Sequence, residues 1–279
     1  MIKLARKRKP SDVPSDFKGK KLADKHVELL GRYFDARAAG RPLAFSSAKW
    51  KSAKAKLRID TVKKCAYCEA PTSVVAHGDV EHFRPKSVYW WLAYCFDNYL
   101  FSCQICNQLF KGDAFPISGT ALAAPNLPDP APGKGEWPAH TVEFAMDPIV
   151  VTDQDCLDRW TPERADLVHP YFEDPEPLFR YEIENASGEV WLRAGDGERA
   201  LRALSAAEAV LGLNREELRK LRYDEFATIA TLKLLLEDKG LSTASRTGIL
   251  REFARRQKNG FPFAGMHRYF ARAWDIPVP

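Results

Sequence analysis

Leu22, Leu29, Leu30, Tyr33 and Phe34 recur three and four residues apart, with His26 on the same face, and this spacing predicts a helix over residues 20–39. Gly40 and Pro42 end it. His26 reads as a core-edge residue. A second helix is predicted over 46–62, with Trp50, Ala53 and Leu57 turned inward and Lys51, Lys54 and Arg58 on another face at i, i+3 and i+7. The twenty residues before these helices are basic, carry Pro10, Pro14 and Gly19, and read as a loose arm. The period changes at 178–193. There Leu178–Glu184 and Glu189–Arg193 flank the turn residues Asn185-Ala186-Ser187-Gly188, which predicts a β-hairpin. Beyond it the helical period returns: Leu201, Leu204 and Leu211 in one helix, then Leu218 through Leu236 in a longer one. Ser242 is placed to cap a third, and Met266, Tyr269, Phe270 and Trp274 belong to a last. Residues 116–140, with PNLPDPAPGKG at their centre, have the composition of a linker or long loop.

Composition narrows the class. The 279 residues are 45% hydrophobic and 28% charged, which excludes wholesale disorder. No run approaches the ~20 apolar residues that cross a bilayer, so no membrane association is expected. MIKLARKRKP lacks an apolar stretch behind its charges, which reads as no secretory signal and an expected cytoplasmic location. Charge is uneven. Residues 1–64 hold 19 Lys and Arg against 6 Asp and Glu, a net +13; residues 65–243 come to −13, and residues 244–279 to +5. Basic ends around an acidic middle suggest a polyanion met by particular segments.

Four of the six cysteines form two CxxC pairs, Cys65-Ala-Tyr-Cys68 and Cys103-Gln-Ile-Cys106, separated by 34 residues. Two such turns supply four soft ligands for a tetrahedral structural zinc. Cys95 and Cys156 have no such partners and read as small buried residues. Around and between the pairs stand polar residues that a core does not explain: Asp79, Glu81, His82, Arg84, Asp97, Asn98, Asn107 and Lys111. Each alone has an ordinary explanation, such as a solvated strand position, a turn or a helix cap. Trp90, Trp91 and Tyr94 suit packing better than base stacking.

Taken in order, Cys-x-x-Cys, carboxylate-His-apolar-x-Pro, Asp-Asn and Cys-x-x-Cys-Asn with a nearby Lys resemble the HNH endonucleases. The tight match covers residues 65–116. The spellings EHFRPKS and SCQICNQLFKG are most similar to the HNH proteins of Septu-type bacterial anti-phage systems, and HPYFEDPEPLF at 169–179 and LGLNR at 211–215 echo the helical half of that family. The resemblance implies an α+β protein. Its small ββα-metal core over 65–116 is stapled by zinc on Cys65, Cys68, Cys103 and Cys106. A basic arm and helices occupy 1–64, a linker and accessory hairpin 117–195, and a helical region 196–279. It implies phosphodiester hydrolysis, with DNA the favoured nucleic acid, and an ABC/SMC-like ATPase as partner.

Chemistry then gives each residue an expected role. His82 is the general base, since imidazole titrates near neutral pH. Glu81 and Asn107 supply hard oxygen for magnesium or manganese. Asp79 is the alternative carboxylate, because i and i+2 share a strand face. His77 is a spare ligand or a loop histidine. Asn98 braces the loop that aims His82. Lys111 or Arg84 contacts phosphate, and Lys51, Lys54 and Arg58 track the backbone. Two rival classes remain: a zinc module that binds nucleic acid or a partner without cutting, and a nuclease directed at RNA.

Overall fold

The computed structural model describes residues 1–72, 78–142 and 144–277. Helix α1 spans Gly19–Ala38 and buries Leu22, His26, Leu29, Leu30 and Phe34. His26 Nδ1 donates to the Leu22 carbonyl of its own helix at 3.0 Å, and Nε2 is buried without a partner among the described residues. The helix expected over 46–62 is two short ones, α2 Ala48–Lys51 and α3 Lys54–Asp60. They part at Ser52, whose hydroxyl donates to Asp16 Oδ2 at 2.5 Å. Ala53 and Leu57 point inward as the period requires.

The first residues are not a loose arm. Met1, Ile2 and Leu4 are buried, and the Leu4 amide donates to the Pro170 carbonyl at 2.8 Å. Arg6 is buried too, 3.4 Å from Asp97 and 4.0 Å from Asp60, with its guanidinium 3.7 Å above the Tyr171 ring. Arg8 reaches Asp97 at 3.0 Å and Asp153 at 2.7 Å. Part of the basic charge of this region is therefore consumed inside the molecule.

Strands β1 Asp79–His82 and β2 Tyr99–Ser102 pair antiparallel, with Asp79 opposite Ser102 and His82 opposite Tyr99. A short helix, Ile105–Lys111, follows directly. It is π-wound, and the Gly112 amide bonds the Asn107 carbonyl five residues back at 2.8 Å. Next come α4 Trp137–Thr141 and α5 Asp153–Trp160, whose start is capped by Thr152 and Asp155 in a capping box. Trp137 lies flush on α1 at Gly31, where any Cβ would stand 2.4 Å from its ring.

The predicted hairpin is present as β3 Phe179–Glu184 and β4 Glu189–Ala194, Phe179 facing Ala194 and Glu184 facing Glu189. Helices α6 Glu198–Ala209, α7 Glu216–Glu237, α8 Thr243–Arg256 and α9 Ala264–Ala273 complete the chain, α8 capped by Ser242. The fold is α+β. One apolar core joins Met1, Tyr67, Phe83 and Leu100 to Leu218, Phe253, Met266 and Phe270. The small hairpin is thus anchored on the C-terminal helices. No helix among the described residues is long and apolar enough to cross a membrane.

Candidate functional site

The two CxxC turns meet. The thiol sulfurs of Cys65, Cys68, Cys103 and Cys106 all lie within 4.8 Å of one another, a cluster fit to hold a metal ion such as zinc. Four sulfurs at about 2.3 Å from one zinc sit about 3.8 Å apart, close to the 4.0 Å between Cys68 and Cys103. The Cys106 amide donates to Cys103 Sγ at 3.4 Å, and Arg215 Nη1 lies 3.8 Å from Cys106 Sγ. Such donors stabilise thiolates. Hydrogen bonds from its neighbours, Cys106 foremost, push the Cys103 thiol far below its ordinary range. Cys95 and Cys156 are buried elsewhere.

The cluster fixes two points: the turn ahead of β1 and the start of the helix after β2. Side chains alternate along β1. Asp79 and Glu81 face the Ile105–Lys111 helix, where Gln108 Nε2 donates to Asp79 Oδ2 at 2.7 Å and Lys111 Nζ pairs with Glu81 Oε1 at 2.7 Å. Val80 and His82 face the other way, toward Trp50. Lys111 is 1% exposed, and its ammonium also donates to the His82 carbonyl at 3.1 Å. It is turned inward, away from any phosphate. Glu81 is 3% exposed; burial, working against Lys111, holds its carboxyl above the ordinary range. Tyr67, between the first two cysteines, sets its hydroxyl 3.5 Å from the same Oε1.

His82 stands at the end of β1, edge-on to Trp50 at 4.9 Å and to Tyr99 at 5.0 Å. Its Nε2 is 3.0 Å from the Ala93 carbonyl. A carbonyl only accepts, so Nε2 carries the proton and the neutral ring keeps its lone pair on Nδ1. Burial lowers the imidazole to about 3, which keeps it neutral at physiological pH. Asn98 accepts from the Arg84 amide at 2.9 Å and donates to the Arg84 carbonyl at 3.0 Å. It clamps both main-chain groups two residues beyond His82. Asn107 is half-buried, on the same helix as Gln108 and Lys111.

Arg84, expected at phosphate, is instead buried. Its Nε bonds Glu163 Oε2 at 2.6 Å, and its guanidinium lies 4.3 Å above Trp160. The side chain belongs to the interior because Glu163, distant in sequence, is there to neutralise it. Lys51 and Arg58 are exposed and Lys54 half-buried, and none has an acidic partner among the described residues. His77 lies outside the described residues. Three residues of the site are not evident from the sequence. Tyr67 is signalled only by its place inside a CxxC, Gln108 by its i+4 spacing from Gln104, and the helical period marks Trp50 as core alone.

No family model matches the chain. Over 93 residues it is 36% identical to the Septu protein PtuB of Bacillus mycoides (strain KBAB4). The aligned stretch is 29% of this chain and spans about a third, 32%, of that protein's length.

Proposed function

We propose that the chain is a metal-dependent endonuclease of the HNH type, cutting nucleic acid, with DNA the favoured substrate, in an anti-phage defence system. One observation carries the reading. A histidine, its tautomer fixed by Ala93, ends a strand whose neighbouring carboxylate faces a helix bearing Asn107, and four cysteines staple strand to helix. The Septu likeness supports the defence role, and an ABC/SMC-like ATPase partner is what the sequence resemblance implies.

The donor set suits magnesium or manganese. Both contacts to Glu81, from Lys111 and Tyr67, fall on Oε1; Glu81 Oε2 and the Asn107 amide oxygen are the hard donors that would hold such a cation. Such an ion, when bound, stabilises charge on the phosphate and on the leaving oxygen. The chain's own residues do the rest. His82 would take the proton of the attacking water on Nδ1, the nitrogen Ala93 leaves free, from the face of β1 opposite Glu81. Ala93 holds the ring against rotation, and Asn98 holds the following loop. Zinc in the cysteine cluster is structural and closes the frame.

Cleavage of plasmid DNA in the presence of magnesium, abolished by EDTA, is the expected result. Glu81→Ala should remove it, and Asp79→Ala should leave most of it, because Asp79 is tied to Gln108. The reverse ranking would move the metal to Asp79; no cleavage of DNA or RNA in any divalent metal would sink the nuclease. One observation favours the rival, a zinc module that docks nucleic acid or a partner without cutting: Glu81 and His82 are 3% and 7% exposed, a closed site. Binding without turnover is what that rival predicts.

The cations Lys51, Lys54 and Arg58, which have no acidic partner among the described residues, give a separate test. Reversing Lys51, Lys54 and Arg58 together should weaken duplex binding for all sequences alike. The salt dependence should flatten by about 0.9 in log–log slope for each phosphate no longer neutralised. Cleavage per bound complex should hold, since such cations position the duplex without touching the reacting phosphate. Unchanged affinity with a changed mass by light scattering would mean that this face docks protein instead.

A further inference from the structure

Arg84 and Lys111 both turn inward onto carboxylates, so the phosphate contact expected of them is unfilled. Lys86 stands on the side they leave open. It follows Pro85 in a turn closed by two hydrogen bonds, the Val88 and Tyr89 amides donating to the Pro85 carbonyl at 3.0 and 2.8 Å. Just ahead of it, Asn98 holds both main-chain groups of Arg84. The backbone that carries Lys86 is therefore fixed on both sides, and little order has to be created when a ligand arrives. The side chain runs back over Trp50, with Nζ 5.7 Å from the ring centre, and the same ring meets His82 edge-on at 4.9 Å. One indole thus ties the ammonium to the imidazole.

Lys86 is half-buried, and no carboxylate pairs with it among the described residues. Partial burial of a cation is unfavourable until an anion meets it. Glu81 is already paired with Lys111 at 2.7 Å. Lys86 weighs more on the His82 imidazole than Lys111 does, although Lys111 bonds the His82 carbonyl. Its charge also reaches Glu81. Those two side chains lie on opposite faces of β1, so Lys86 stands near the end of the strand, where a phosphate would have to lie to meet both. An ammonium suits that place. It is a compact charge with three rotatable donors, and it takes a phosphate oxygen without demanding a fixed fork geometry.

We propose that Lys86 holds the scissile phosphate beside His82, donating to a non-bridging oxygen whose charge grows as water attacks. The assignment rests on the nuclease reading above. As the water oxygen bonds to phosphorus, its proton passes to His82 Nδ1, and the bond to the leaving oxygen breaks with its electron pair. Lys86 neither gives nor takes a proton.

Two measurements on the full chain test it. In single-turnover cleavage of plasmid DNA with magnesium and saturating protein, Lys86→Met should lower the rate at least about 10²-fold, the cost of removing one such donor. Lys86→Arg should recover most of it. Methionine keeps an unbranched stem over Trp50, so a purely structural role would appear as a lowered melting temperature with no recovery by arginine, and that result overturns the assignment. In EDTA, where binding is measured without cleavage, the log–log slope of affinity for a short DNA duplex against salt should flatten by about 0.9 in Lys86→Met, one phosphate contact. Cleavage by Lys86→Met at the parent rate, or an unchanged slope, also overturns it. A parent chain that cuts nothing sinks the nuclease reading instead, and the slope in EDTA still decides whether Lys86 holds a phosphate.

Discussion

Replacing His82 with alanine should lower cleavage roughly 10²–10⁴-fold, the contribution of a positioned general base, while zinc content and nucleic-acid affinity stay at the parent's level. The structure explains why the variant should fold. The Ala93 carbonyl that receives Nε2 also receives the Tyr99 hydroxyl at 2.6 Å, so removing the imidazole does not orphan it. The loop beyond His82 is held by Asn98 on Arg84, contacts that the substitution does not touch. The local loss is one hydrogen bond, about 1 kcal/mol net, and edge-on packing on Trp50 and Tyr99. Single-turnover cleavage with saturating protein isolates the chemical step from binding. A variant that cuts at the parent rate would show that the water is activated by another group. A variant that loses affinity as well would show that His82 acts through structure.

The hairpin at 179–194 was legible because its evidence is local: alternating residues around a four-residue turn, each satisfied by its immediate partner strand. Helix α1 was legible for the same reason. The cysteine frame could be read across 34 residues because two CxxC pairs are the spacing of a four-thiol metal site, and the fold brings the four sulfurs together. What failed was the role of charged residues whose counter-ions lie far away in sequence. Arg6 and Arg8 looked like a solvated basic tail. Their fate depends on Asp60, Asp97 and Asp153, which only the folded chain brings to them. Arg84 looked like a phosphate contact because nothing near it in sequence predicts Glu163. Lys111 carried a similar ambiguity. Its spacing from Asn107 put it at the site, but only the fold shows that its ammonium turns back onto Glu81. A charged residue's role depends on its counter-ion, and sequence periodicity does not carry that information.

Cys68→Ser or Cys106→Ser should cost the protein its zinc and most of its soluble yield. Cys95→Ser and Cys156→Ser, equally buried but outside the cluster, should cost neither. The difference follows from what each thiol does. Cys95 and Cys156 fill space, and serine nearly matches that volume. The four clustered thiols hold the turn ahead of β1 against the helix after β2. Among the described residues, the sheet between these is two four-residue strands, too little sheet to hold itself. Structural zinc supplies apparent binding free energy of about 10–16 kcal/mol, and that energy is folding energy when no site pre-exists in the unfolded chain. A whole domain is stable by only about 5–15 kcal/mol, so losing one ligand of four can exceed the margin. Cys106 is the severer case. It is fully buried, and Arg215 lies against its sulfur, so a failed site there also leaves a guanidinium without its thiolate. Elemental analysis of purified protein should find one zinc per chain, and thermal melting should fall steeply when a chelator strips it. Folded protein that contains no metal, with melting unchanged in Cys106→Ser, would make the cluster a packing feature and remove the frame on which the site is built.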